Sequence, residues 1–147
     1  MIPRTMLIAV EPFGEGVGAK RAGAAIGRGL QAGDPTLGVD LCPIEEAAGE
    51  ERRDVRELLE TVSFDARMRA SRAVVVGAER LDERTLLGSA VFEIATRARQ
   101  AGVPAYAVAG ENALSPFDAR ILDLQVILEA GDTRALRRAG ETLAGVV

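Results

Sequence analysis

Thr5-Met6-Leu7-Ile8-Ala9-Val10 runs into Glu11-Pro12-Phe13-Gly14-Glu15-Gly16-Val17-Gly18, and a stripe of Ala19, Ala22, Ile26 and Leu30 follows. The first stretch is a short, continuous apolar run, the pattern of a strand buried on both faces. The second is a glycine-rich connection. The third recurs at helical spacing over 19–32, with Gly33 as the expected C-terminal stop. Strand, loop and amphipathic helix in this order form the opening of a βαβ unit, which builds a parallel sheet.

Working outward, the same alternation repeats. Residues 38–42 (GVDLC), 73–77 (AVVVG), 105–109 (AYAVA) and 124–128 (LQVIL) read as further short strands. Helical stripes fall at 50–70, as one helix or two broken near Ser63, and at 85–101, 116–121 and 133–144. Five strands alternating with helices predict a three-layer αβα domain of the α/β class. Its five-stranded parallel sheet would be flavodoxin-like or Rossmann-like, with the strand order left open.

Composition narrows the chemistry. The 147 residues contain no histidine, which excludes a Ser-His-Asp triad, a Cys-His pair and any His-ligated metal on this chain. The single cysteine, Cys42, excludes an internal disulfide. A net charge of −4 with 3% aromatic residues offers neither a basic field nor a stacking platform, so no nucleic-acid partner is expected. No run of about 20 apolar residues is present, so no membrane span is expected either. A soluble cytoplasmic protein is the expectation.

In such folds ligands sit beyond the carboxyl ends of the strands. The loops there carry Glu11, Glu15, Glu45, Glu46, Glu79, Asp82, Glu83, Glu111, Glu129 and Asp132, with Arg80 and Arg84 as the bases. Carboxylates with few cations would suit a hard divalent ion, Glu45 and Glu46 being the candidate metal ligands. Acids also favour helix N-termini for electrostatic reasons alone. The loop Gly14-Glu15-Gly16-Val17-Gly18-Ala19-Lys20 stands where backbone N–H groups cradle phosphates, and it partly matches both a dinucleotide fingerprint and a Walker A loop. Glu15 would oppose a phosphate there, and glycines also serve tight turns. In Gly77-Ala78-Glu79-Arg80-Leu81-Asp82-Glu83-Arg84-Thr85, Arg80 offers a fork for a carboxylate or phosphate and Asp82 a partner for it or for a hydroxyl. An Arg–Asp surface pair at a helix start is the alternative. The expected ligand-binding set is Glu11, Gly14, Gly16, Gly18, Gly77, Arg80, Asp82 and Thr85.

Several of these stretches resemble one family. The opening Ala9-Val10-Glu11-Pro12-Phe13-Gly14-Glu15-Gly16-Val17-Gly18-Ala19 is similar to APDSFKGSLSA of the bacterial two-domain glycerate kinases, which phosphorylate glycerate from ATP. Leu41 through Glu50 is similar to the family's LLPIADGGEGT, and Val76 through Ser89 to its TGEGRLDAQTLxGK. The resemblance spans about 5–50 and 65–147. It implies a single Rossmann-like domain over 1–147, with the family's inserted second domain absent near 47–63. The family's first-loop lysine falls on Gly14 and its aspartate on Glu11. Its phosphate-suited glycine run falls on Glu46-Ala47-Ala48-Gly49-Glu50, a glycine on Glu79, and a lysine on Ser89. Arg80, Leu81, Asp82 and Thr85 match.

Phosphoryl transfer depends on positioned cations, and removing one well-placed donor typically costs about 3–4 kcal/mol of barrier. The missing lysines therefore point to a non-catalytic relative that binds a small hydroxy acid or anion, without a confident cofactor. Two other readings stay open. One is a residual glycerate kinase using Mg2+ and ATP, completed by a partner chain. The other is a structural homodimer that buries surface exposed by the lost domain.

Overall fold

A computed structural model of the chain describes residues 3–14, 16–45 and 54–147. Strands β1 (Thr5–Val10), β2 (Gly38–Leu41), β3 (Ala73–Leu81), β4 (Ala105–Asn112) and β5 (Ile127–Glu129) form one sheet. Its order is β2-β1-β3-β4-β5, and every neighbouring pair is parallel. The helices are α1 (Ala19–Gly33), α2 (Val55–Thr61), α3 (Phe64–Arg69), α4 (Ala90–Ala101), α5 (Pro116–Leu122) and α6 (Thr133–Ala144). This is the flavodoxin-like order, in which the chain steps outward from β1 to β2 and then returns to β3. The topological switch point falls between β1 and β3.

The continuous apolar run of β1 is explained by helices on both faces. Leu7 and Ala9 point into a core with Leu59, Phe64, Met68 and Ile94 from α2, α3 and α4. Met6, Ile8 and Val10 point the other way, onto Ile26 and Leu30 of α1 and Leu136 and Leu143 of α6. Each fully buried side chain of this kind contributes about 1.5–3 kcal/mol. No helix among the described residues is long and apolar enough to cross a membrane.

Several boundaries differ from the sequence expectation. The stripe at 50–70 is two helices, because Ser63 adopts a left-handed conformation (φ 55°) between α2 and α3; residues 50–53 lie outside the described residues. The helix expected from 85 begins at Ala90. Ahead of it the chain makes a 3-10 turn over Glu83–Leu86 and passes Gly88 at φ 85°, and Ser89 caps α4 by accepting from the Phe92 N–H. α1 stops at Gly33, one residue beyond the expected 32, but Gly33 is its last helical residue and not its cap. Asp34 closes the helix in an extended conformation, its N–H donating to the Leu30 carbonyl at 2.8 Å. Gly33 instead allows close packing, since a Cβ there would lie 2.6 Å from Cβ of Ala144 on α6. β5 starts at Ile127 rather than 124.

One difference shapes the site. β3 and β4 do not end at 77 and 109 but run on to Leu81 and Asn112, with Arg80 in register opposite Glu111. The two strands project past β1 as a ledge beside the switch point.

Candidate ligand-binding site

A cleft of about 890 Å³ opens where β1 and β3 diverge. One side is Glu11, Pro12 and Gly14, just after β1; the other is the β3 ledge from Ala78 to Asp82, with Arg84, Thr85 and Ser89 closing the end. Its size falls in the range of small-molecule sites.

The loop after β1 is held by its own backbone. The Glu11 N–H donates to the Gly77 carbonyl at 2.9 Å, tying the loop to β3. The Phe13 N–H donates to the Val17 carbonyl at 2.9 Å, and the Val17 N–H returns to the Gly14 carbonyl at 3.4 Å. This tight loop needs left-handed backbone at Gly14 (φ 92°) and Gly16 (φ 87°), which glycine adopts without a steric penalty. Phe13 is buried on the α1 face of the sheet and anchors the loop. Arg21 donates from Nη1 to the Gly16 carbonyl at 3.2 Å. Across the cleft the Glu79 carboxylate lies against Gly14, so that a Cβ on Gly14 would meet Glu79 Oε1 at 2.9 Å.

On the ledge, Arg80 is held between two acids. Its Nε donates to Asp82 Oδ2 at 3.0 Å, and its Nη1 pairs with Glu111 Oε2. Glu111 first, and Asp82 second, raise the Arg80 guanidinium above its ordinary pKa. Asp82 also shapes the backbone: Oδ1 accepts from the Arg84 N–H at 2.9 Å, while the Asp82 N–H donates to Thr85 Oγ1 at 3.0 Å. Arg80, and then the Arg84 N–H, hold the Asp82 carboxyl below the usual aspartate value. The Thr85 carbonyl accepts from Ser89 Oγ at 2.6 Å, carrying the network to the start of α4.

The fold thus brings Glu11, Gly14, Arg80, Asp82 and Thr85 together on one cleft. Gly16 and Gly18 sit beside it on the loop, Gly18 as the N-cap of α1. Gly77 lies behind it in β3, where a Cβ would come 2.8 Å from the Val108 carbonyl oxygen and 2.9 Å from Val10 Cγ1. Glu45 is exposed beyond β2, and its companion Glu46 lies outside the described residues, as does Glu15. Among the described residues no group of three or more Asp, Glu or Cys is arranged to hold a metal. What the sequence reading missed is the capture of Arg80 by Glu111. The register of β3 with β4 creates that pair, and nothing local to either residue signals it. Ser89 also lies outside the expected binding set, because a helix running from 85 leaves no N-cap at 89.

A parallel sheet of this order between two helical layers is the three-layer α/β architecture, in which the switch point is the place where a ligand would sit. The model of the glycerate kinase family matches residues 46–133, more than half of the chain, and the chain belongs to that family. No curated protein matches it. Gly14 and Glu79, where the resemblance set out above has a lysine and a glycine, face each other, a Cβ on Gly14 falling 2.9 Å from Glu79 Oε1.

Proposed function

We propose that this chain is a non-phosphorylating member of the glycerate kinase family, lacking the inserted domain, that binds a small hydroxy acid in the cleft as a binding or regulatory module. The observation that carries this reading is the Arg80 triad. A transferring phosphoryl group needs cations free to follow its developing charge. Arg80, the cation expected to provide one, is engaged by Glu111 and Asp82. Lys20 is exposed on α1 and is not among the residues lining the cleft. Arg84 lines the cleft and makes no ion pair among the described residues. One such guanidinium fits one carboxylate, and Glu79 and Asp82 can accept from hydroxyls.

Calorimetric titration of the purified chain with glycerate and with Mg-ATP tests this. The expected result is saturable heat with glycerate and none with Mg-ATP. Phosphorylation of glycerate by the chain would favour the residual kinase instead.

The homodimer reading has its own support in Leu87 and Phe117, 82% and 71% exposed, Leu87 directly after the 3-10 turn and Phe117 on α5, which touches that turn. Light scattering separates a dimer from a monomer.

A further inference from the structure

We propose that Glu79 is the specificity-determining residue of this cleft, rejecting phosphorylated ligands while admitting the unphosphorylated hydroxy acid. This rests on the reading of the cleft as a hydroxy-acid site.

Three observations carry it. First, the carboxylate is placed at the loop. Its Oε1 lies so close to Gly14 that even a methyl group on that residue would approach to 2.9 Å. A ligand group reaching the backbone of the glycine turn must therefore come up against this oxygen. Second, the loop does not need Glu79 for support. The turn is closed by the Phe13–Val17 and Val17–Gly14 hydrogen bonds and by Arg21 on the Gly16 carbonyl. Glu79 itself makes no side-chain hydrogen bond or ion pair among the described residues. Among the described residues no cation pairs with it, the adjacent Arg80 being turned to Asp82 and Glu111. Third, the backbone beneath it is fixed. Gly110 of β4 packs so tightly on residue 79 that a Cβ there would fall 2.5 Å from the Glu79 carbonyl oxygen.

The consequence is charge discrimination. A monocarboxylate can direct its one charge to Arg84, whereas a phosphate ester adds between about 1.5 and 2 further negative charges. Those charges would lie within a few ångströms of the exposed Glu79 carboxylate, a separation inside the Debye length, where like charges repel and added salt weakens the repulsion.

The test compares wild type, Glu79→Gln and Glu83→Gln. Glutamine keeps the shape of the side chain, and Glu83 is an exposed acid on the 3-10 turn that is not among the cleft-lining residues. Calorimetry with glycerate, 3-phosphoglycerate and inorganic pyrophosphate is run at low salt. The expected result is that Glu79→Gln binds the two phosphate-bearing probes at least about tenfold more tightly than wild type, with the gain shrinking at high salt. Glu83→Gln should not gain. No gain in Glu79→Gln, or an equal gain in both variants, overturns the proposal. Glycerate binding is the separate readout: its absence in all three proteins sinks the hydroxy-acid reading, while pyrophosphate still decides the role of Glu79.

Discussion

Replacing Gly29 by alanine sets two effects against each other. Alanine is favoured over glycine inside a helix by about 0.5–1 kcal/mol, which alone would stabilise α1. The new Cβ, however, would lie 1.9 Å from the carbonyl oxygen of Arg137, 2.8 Å from its carbon and 2.9 Å from the Glu141 nitrogen. These are backbone atoms of α6, and no rotamer change moves them. Carbon–oxygen contacts relax only beyond about 3.3 Å, so the two helices would have to part by more than an ångström. Ile26, Leu30, Leu136 and Leu143 are buried along that seam. Overpacking costs about 1–3 kcal/mol, and a backbone clash belongs at the upper end. A net loss of about 2 kcal/mol remains, equivalent to a fall in Tm of roughly 4–8 °C for a chain of this size. Thermal unfolding followed by circular dichroism reads it directly, with Gly131→Ala as control because nothing lies within 4 Å of that position. A Gly29→Ala protein that melts at or above wild type would refute the packing argument.

Three further outcomes follow from other parts of the molecule. Asp82 has a depressed folded pKa, set first by Arg80. Its stabilisation is therefore complete above the unfolded value of about 3.9 and fades as pH falls through the folded one. Urea midpoints measured down the acid limb should decline less steeply in Asp82→Asn, with a residual slope from Asp34, which Thr36 depresses in the same sense. Cys42 is buried and its thiol is pushed up by desolvation, so a disulfide reagent should label it only when urea unfolds the chain. Rapid labelling of the native protein would contradict that burial. Glu111→Gln removes one of the two carboxylates on Arg80 and should tighten glycerate binding about severalfold by calorimetry. Unchanged affinity would mean that Arg80 does not sense the ligand.

Much of the architecture was legible because two-sided burial leaves an unmistakable mark. Continuous runs such as Met6–Val10 and Ala73–Val76 call for cover on both faces, and their alternation with helical stripes such as those of α1 and α6 points to helices as that cover. The strand order depends on contacts between distant segments and was not readable. The α1 glycines show the same division. Gly33 at the helix end invited the reading of a stop, yet its role is defined by Ala144, more than a hundred residues away. Capping chemistry was only half visible: Ser115-Pro116 marked α5, whereas Asp82 and Thr85 diverted the chain into a 3-10 turn that shifted the start of α4. At the site, Arg80 and Asp82 stood out as a motif. The third member, Glu111, joined them through strand register, so the charge state of the cleft could not be read from either stretch alone.

The question beneath all of this is whether a cleft with its ledge arginine already neutralised can move a phosphoryl group. Phosphorus NMR of the purified chain, held for hours with ATP, magnesium and glycerate, answers it most directly. The expected result is a spectrum indistinguishable from the protein-free mixture; a phosphoglycerate resonance that grows in proportion to protein concentration would contradict it.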